Sequence, residues 1–340
     1  MARRGGANKG GWQNLHPLAR ICGRVTTVFL TIDTELMWRH HTAGCDLATQ
    51  IERSLEPAGV GIAYQLDVLK KHDLKACFFV DPMPTMVFGL DAIRPVVEAI
   101  LAAGQEVQLH LHPNWSGAKA GDGGAAAGRF ELIDYSLDEQ RALIAGARDL
   151  LKACGASDLI AFRAGSYAAN DDTLTALAEL GFAYDSSHNG AAAPWPSQIG
   201  LPPRQIAPVE RNSVIEVPVT LIEDLPGNLR QFQLCALSQG EMRAALDHAL
   251  AQTHPAVTVV SHGFELANRA GTRPNGVHVA RFEGLCAMLA DARDTLPTGW
   301  FRDRPAFASI DAVPLAPNML RTRWRQAEQL WSNLVEERAA

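Results

Sequence analysis

Short apolar runs alternate with segments of helical spacing along most of this chain. The apolar runs are rich in Val, Ile, Leu and Phe, which is typical of strands buried in a parallel sheet. They predict strands at residues 24–33, 75–80, 106–112, 159–162, 182–187, 213–220, 256–261 and 307–313.

Between these runs, apolar side chains recur every three or four positions, as on one face of a helix. Ser136 and Glu139 have the spacing of a helix N-cap pair at the start of one such segment. The spacing predicts helices at residues 59–72, 92–103, 137–153, 171–180, 241–251 and 279–290. Strand and helix thus alternate about seven times, which favours a parallel α/β fold, either a distorted barrel or an open sheet.

Polar side chains collect where the predicted strands end. Asp33 and Glu35 follow the first strand, and His110 and His112 lie at the end of the third. Because side chains alternate along a strand, each of these pairs shares one face. Two imidazoles on one face can hold a divalent metal, although two histidines that merely hydrogen-bond in a packed interior fit the pattern equally well.

Two further strand ends extend this pattern: Arg163 follows the fourth strand and His262 follows residues 256–261. One carboxylate and two histidines are sufficient for a three-ligand catalytic metal site. A second carboxylate is left to act as general base, and a separate histidine is left to act as general acid. Together the strand ends predict metal-assisted hydrolysis of an amide or an ester.

Composition and charge narrow the function classes. No GxGxxG motif follows the first strand and no Walker loop is present, so a dinucleotide or nucleoside triphosphate site is disfavoured. The formal net charge of -6 gives no indication of nucleic-acid binding. The six cysteines form no CxxC motif, and no secretory signal or membrane-spanning apolar run is visible. These features predict a cytoplasmic protein.

We expect three parts along the chain. Residues 1–20 are predicted to be a flexible tail, residues 21–315 a single catalytic domain, and residues 316–340 a C-terminal helix. The domain carries a Gly/Ala-rich loop at residues 116–128 and a Pro-rich loop at residues 190–211. The Gly/Ala-rich loop is either a mobile lid or a surface insertion.

Two groups of residues have no assigned chemistry. Trp324, Trp331 and Leu334 recur at near-heptad spacing in the C-terminal helix, which would dock on its own fold, on a partner subunit or on a membrane surface. His40 and His41 follow the first strand and are expected to be solvated loop residues.

With these motifs in order, residues 25–266 resemble the polysaccharide deacetylase family, the NodB-homology group within carbohydrate esterase family 4. Residues 31–35 resemble its first motif, usually Thr-Phe-Asp-Asp, and residues 106–114 its second, usually two histidines four residues apart. Residues 162–167 resemble its third motif, and residues 260–262 its fifth, an apolar run that ends in the acid histidine. Asp185 lies where the fourth falls.

The resemblance implies an incomplete (β/α) barrel, a divalent metal, and hydrolysis of an N- or O-acetyl group on a sugar, a glycan or a glycan precursor. The chain departs from the family pattern at two positions. Thr34 replaces the second aspartate, and we expect Glu35 to substitute for it. Asn114 stands where the second ligand histidine is expected, and either His112 or Asn114 completes the shell, with His112 favoured by strand periodicity.

The resemblance also implies roles. A metal ion, zinc in the first place with Co, Ni, Fe or Mn as alternatives, would be held by Glu35, His110 and His112. Asp33 would be the base and His262 the acid.

Other residues would support these groups. Arg163 would pair with Asp33 and keep it ionised, unless it forms an ordinary structural salt bridge. A backbone N–H near Tyr167 would stabilise the oxyanion. Three aromatic side chains would either stack on the sugar or pack in the wall of the site: Trp38, Trp115 and Phe264.

Two alternatives remain. One is an amidohydrolase of the same fold that acts on a small non-sugar amide. The other is a degraded relative that binds glycan without turnover. The sequence leaves the oligomeric state open.

Overall fold

The apolar runs of the sequence become the strands of one curved sheet. The computed structural model describes residues 25–338, so the predicted tail at residues 1–20 lies outside the described residues. The strands are β1 (Thr27–Thr34), β2 (Cys77–Val80), β3 (Glu106–Leu111), β4 (Ala161–Ala164), β5 (Tyr184–Asp185), β6 (Val209–Arg211), β7 (Val214–Glu216), β8 (Leu221–Leu225), β9 (Asn228–Gln231) and β10 (Ala256–His262).

Eight of these strands form a sheet in the order β10-β1-β2-β3-β4-β5-β7-β6. All neighbours run parallel except β6 and β7, and β8 and β9 form a separate antiparallel hairpin. The sheet curls into a half-barrel covered by helices. The predicted fold class, a distorted or incomplete (β/α) barrel, is therefore confirmed.

The helices that flank the sheet include all six that the spacing predicts. They are α1 (Trp38–Thr42), α2 (Leu47–Leu55), α3 (Ile62–His72), α4 (Thr85–Phe88), α5 (Arg94–Ala102), α6 (Leu137–Ala153), α7 (Asp171–Glu179), α8 (Gln239–Ala251), α9 (Gly276–Asp291) and α10 (Met319–Trp331). A π-helix, Ser332–Glu336, continues α10. Helix α6 begins with the predicted capping box between Ser136 and Glu139.

The two faces of β1 enter different cores. Leu30 and Ile32 pack towards the helices, whereas Phe29 faces the inside of the half-barrel together with Phe79 and Phe301. Phe301 stacks on Phe29 with ring centroids 4.6 Å apart. Aromatic side chains thus fill the part of the half-barrel that lies away from the C-terminal strand ends. Thr31 and Asp33 continue the same face of β1 and point into this interior nearer the C-terminal strand ends.

Several expectations were wrong or incomplete. Residues 307–313 form no strand, because Phe307 packs on Phe29 and Tyr184 as a single anchor while the segment forms no ladder. The hairpin of β8 and β9 and the helices α1 and α2 were not predicted. His40 and His41, expected to be solvated, are buried in α1.

The C-terminal helix α10 docks on its own fold through polar side chains. Arg325 is buried and pairs with Asp224 at 2.7 Å and with Glu241 at 3.1 Å. The residues with near-heptad spacing face solvent instead, since Trp324 is 66% and Trp331 58% exposed. Among residues 25–338, no helix combines the length and apolar character that crossing a membrane requires.

Candidate active site

Glu35, His110 and His112 come together at the C-terminal ends of β1 and β3. Their candidate ligand atoms all lie within 4.8 Å of one another. Glu35 Oε2 is 3.2 Å from His110 Nε2 and also contacts His112 Nε2. Burial alone would raise the pKa of Glu35, but the two imidazoles bring it well below its usual value. One carboxylate and two imidazole nitrogens therefore converge on one point, as the alternation along the strands predicts.

The surrounding backbone orients both imidazoles. His110 Nδ1 lies 2.8 Å from the carbonyl oxygen of Arg163, to which it can donate, leaving Nε2 as the free nitrogen towards Glu35. The ring of His112 packs flat against Gly165, and a Cβ at that position would collide with the imidazole. The glycine of the third motif thus leaves room for the second histidine.

Asp33 is held beside this cluster by a buried arginine. Arg163 Nη1 donates to Asp33 Oδ1 at 2.6 Å and to Thr31 Oγ1 at 2.8 Å. Its other nitrogens donate to the carbonyl oxygen and the hydroxyl of Ser186, at 3.1 and 3.0 Å. The side chain is fully buried and its guanidinium also covers the Phe79 ring. Arg163 therefore fixes one oxygen of Asp33 and leaves Oδ2 to face His262.

His262 stands opposite Asp33, because β10 and β1 pair in register at these two residues. Its Nε2 lies 3.9 Å from Asp33 Oδ2. Its Nδ1 lies 3.7 Å from Glu265 Oε2, and the same oxygen accepts the His262 backbone N–H at 3.1 Å. Burial alone would lower the pKa of His262, but Glu265, and then the charges of Asp33 and Glu35, raise it to about 9.

A cavity of about 180 Å³ unites these groups. Ser166 and Tyr167 line its rim, and both have a positive φ, +55° and +60°. Non-glycine residues with a positive φ are uncommon and concentrate at functional sites, where the fold holds a strained backbone. The cavity is lined by Asp33, Glu35, His110, His112, Ala164, Ser166, Tyr167 and His262.

The remaining predicted site residues do not line this cavity. Asn114 is buried and does not line this cavity, whereas His112 lines it and contacts Glu35. Trp115 is only 1% exposed, which leaves no face for a sugar. Trp38 packs edge-on against Trp115 at 4.8 Å and belongs to the same wall. Phe264 stacks near His262, with ring centroids 4.9 Å apart.

The Gly/Ala-rich loop packs against α1. Asp122 Oδ1 lies 3.2 Å from His41 Nε2, and Gly124 sits against the Trp38 ring, where a Cβ would collide with the indole. The Asp122 carboxylate also accepts three backbone N–H groups of the loop. The role of this loop as a lid stays a prediction.

Sequence reasoning missed two carboxylates at the site. Glu265 follows His262 by three residues, and the intervening turn brings its side chain back to the imidazole. Asp81 follows β2 and is fully buried; burial raises its pKa to about 6, although His112 and His110 lower it. A carboxylate directly after a buried strand was the available signal for Asp81, since four other strand ends in this chain carry site residues.

A second pair of carboxyl groups lies behind Arg163. Asp185 and Glu216 are fully buried, and burial raises the pKa of both. Asp185 accepts the Ser187 hydroxyl at 2.7 Å, and Glu216 accepts the His188 backbone N–H at 2.9 Å. Two buried carboxyl groups in contact share a proton more readily than they both ionise.

No protein-family model matches the sequence, and no curated protein matches it. Solved structures do match. The chain is similar to a protein assigned as a polysaccharide deacetylase from Mycobacterium smegmatis, with 18% identity, a TM-score of 0.55, and coverage of 86% of this chain and 96% of that one. It is also similar to 4-alpha-glucanotransferase from Thermococcus litoralis, with 10% identity, a TM-score of 0.52, and coverage of 92% of this chain and 46% of that one.

A third match is the family 4 carbohydrate esterase from Streptomyces lividans, with 12% identity, a TM-score of 0.42, and coverage of 87% of this chain and 100% of that one. At such identities a structural likeness establishes the fold and leaves the activity to be argued from the site. The likeness to the Mycobacterium smegmatis protein agrees with the resemblance of the sequence motifs. The chain therefore has the fold of the polysaccharide deacetylases.

Proposed function

We propose that this chain is a metal-dependent hydrolase that removes acetyl groups, N- or O-linked, from a sugar, a glycan or a glycan precursor. One observation carries the proposal. Glu35, His110 and His112 converge in one small cavity together with Asp33 and His262, at the C-terminal ends of parallel strands. Those strand ends are where a fold of this kind builds its chemistry.

The donor set fits a divalent ion. A carboxylate and two imidazoles are a three-ligand set of the kind that catalytic zinc uses, and the hydrogen bond from His110 Nδ1 leaves Nε2 free to coordinate. Zinc is the proposed metal, with Co, Ni, Fe or Mn as alternatives. When bound, such an ion polarises a carbonyl and lowers the pKa of water.

Asp33 is proposed as the general base. Arg163 occupies its Oδ1, so Oδ2 is the oxygen available to take a proton from the attacking water. The arginine acts as a positioning residue, because its four hydrogen bonds fix the orientation of the carboxylate without contact to a substrate.

His262 is proposed as the general acid. With a pKa near 9 it carries a proton at neutral pH, and its Nε2 faces Asp33 across the cavity. From this position it could protonate the leaving amine or alcohol. Glu265 orients the ring from behind and stabilises its charge.

Two further contacts complete the proposal. The backbone N–H near Tyr167 would donate to the developing oxyanion, a contact worth about 3–4 kcal/mol in other hydrolases. Phe264 would contact the sugar ring beside the acid. The five cysteines in the described part of the chain are unpaired, which supports the proposal of a reducing, cytoplasmic location.

Acetate release tests the function. The purified protein, loaded with a divalent metal, is incubated with acetylated amino sugars, acetylated glycans and small non-sugar amides. We expect acetate from one or more sugars and none after Asp33→Asn. Release from small amides alone would favour the amidohydrolase alternative, and retained glycan binding without any release would favour the degraded one.

A further inference from the structure

A second, larger cavity adjoins the candidate active site. It has a volume of about 740 Å³, and His262 lines both it and the catalytic cavity. Phe264 forms part of its wall, and Gln329 in α10 together with residues that follow this helix also line it. A substituent on the leaving side of the substrate, next to the proposed acid, would extend into this space.

Arg39 lines this cavity, and its guanidinium has no ion-pair or hydrogen-bond partner in the described chain. Among residues 25–338, no ion pair and no side-chain hydrogen bond involves that group, and its Nε is buried with no acceptor. Arg269, on the same wall, likewise forms no side-chain ion pair within the described chain. A half-buried cation without a counter-charge is costly, so the absence of a protein acceptor points to an acceptor from outside.

The carboxylates near the two arginines are already engaged. Glu337 accepts the Arg269 backbone N–H at 2.7 Å and the amide of Asn275 at 3.0 Å. Glu265 accepts Gln233 at 2.8 Å besides its contacts to His262. Neither carboxylate comes within ion-pair distance of the two guanidinium groups, although the charge of Glu337 still acts on Arg39.

The two cations also repel each other. Burial lowers the pKa of Arg39 and the charge of Arg269 lowers it further, whereas the charges of Glu337 and Glu35 raise it. An anion placed between the two guanidinium groups would remove this repulsion and supply the missing acceptors. The planar fork of an arginine suits a phosphate or a carboxylate in particular.

Phe264 connects this cationic pair to the chemistry. Its ring lies between Arg39, whose guanidinium carbon is 5.9 Å from the ring centroid, and His262, whose ring is 4.9 Å away. A sugar stacked on Phe264 with its acetyl group at His262 would present its far side to Arg39. We propose that this larger cavity is a subsite for an oxyanion, a phosphate or carboxylate substituent of the acetylated sugar, with Arg39 as its specificity-determining residue.

This inference rests on the proposed deacetylase function, and the test separates the two. The kcat/KM for acetate release is measured on three probes: N-acetylglucosamine, its 1-phosphate, and N-acetylmuramic acid, which carries a carboxylate. We expect the wild-type protein to prefer at least one charged probe, and Arg39→Gln to lower the charged-to-neutral ratio about tenfold or more. Arg39→Lys should retain part of the ratio, because it keeps the charge and loses the fork.

A second test variant and a matched control accompany Arg39→Gln. Arg269→Gln, at an exposed position on the cavity wall, should lower the same ratio by a smaller factor even if Arg39→Gln folds poorly. Arg243→Gln, on the exposed face of α8, should leave the ratio unchanged. Equal ratios in the wild type, Arg39→Gln and Arg269→Gln would overturn the subsite.

Binding distinguishes failure of the subsite from failure of the function. Calorimetric titration of the catalytically disabled Asp33→Asn protein with N-acetylglucosamine 1-phosphate requires no turnover. If the wild type releases no acetate from any probe, weaker binding of the phosphate probe after adding Arg39→Gln would still support the anion subsite. Unchanged binding would overturn it.

Discussion

Replacing Glu265 with glutamine is expected to lower the pKa of His262. In the wild-type protein this pKa is raised from an ordinary value of 6.5 to about 9, against the effect of burial. The rise corresponds to about 3 kcal/mol of net stabilisation of the imidazolium form. Glu265 is the largest favourable contributor, and the charges of Asp33 and Glu35 follow.

The glutamine would keep the size of the side chain and remove its charge. Because Asp33 and Glu35 remain, we expect the pKa of His262 to fall by only about 1 to 2 pH units. The assay is an NMR titration of isotope-labelled histidines in the metal-free protein, with His262→Asn identifying the resonance. Glu283→Gln, an exposed change on α9, is the matched control.

The midpoint for His262 should stay near 9 in the Glu283→Gln protein. In the described chain no other carboxylate lies within 4 Å of His262 Nδ1. A midpoint that moves by less than about 0.3 pH units in Glu265→Gln would therefore show that Glu265 does not raise the pKa of His262. A wild-type midpoint near 6.5 would refute the reasoning as well.

Three further predictions follow from buried groups. Arg163→Met should destabilise the fold by about 3–5 kcal/mol in denaturant titrations, because it leaves a buried carboxylate unpaired; a loss below about 1 kcal/mol would contradict this. The pKa of Glu216 is raised by burial, so the folded state favours its protonated form, and wild-type stability should fall relative to Glu216→Gln as the pH rises above about 4.5. Melting temperatures measured from pH 4 to 8 would show this loss of stability. The melting temperature of the control variant Glu210→Gln, at an exposed position, should change with pH as that of the wild type does. Elemental analysis should find the metal lost in His112→Ala and retained in Asn114→Ala, and the opposite result would reassign the ligand.

The sequence predicted which side chains share the face of the candidate site because strand geometry is local. Asp33 and Glu35 share a side by alternation alone, and so do His110 and His112, whatever the rest of the chain does. The contact of His112 with Glu35 follows from the same rule. Asn114 lies beyond the strand, in the 3-10 helix Pro113–Trp115, where alternation no longer applies.

Contacts made by turns and by distant segments could not be predicted in this way. Glu265 reaches His262 only because the chain turns after β10, and nothing in the spacing of apolar residues reveals that turn. Asp81 faces the site because β2 pairs between β1 and β3, which is a matter of strand order. Neither fact is present in a local pattern.

The C-terminal helix shows a different limit. An apolar stripe ordinarily predicts the buried face of a helix. In α10 the buried face is set instead by Arg325, which pairs with Asp224 and Glu241 far away in sequence. The position of those carboxylates depends on the completed fold, so the sequence alone could not show that Trp324 faces solvent.

Metal-dependent release of acetate is the direct test of the proposed deacetylase function. The protein is assayed on an N-acetylated amino-sugar oligomer as purified, after chelation, and after a divalent metal is added back. We expect that chelation abolishes release, that zinc or a related ion restores it, and that His262→Asn stays inactive with its metal bound. The proposed function would be contradicted if acetate release survived complete removal of the metal. It would also be contradicted if the metal-bound protein released no acetate from any acetylated sugar.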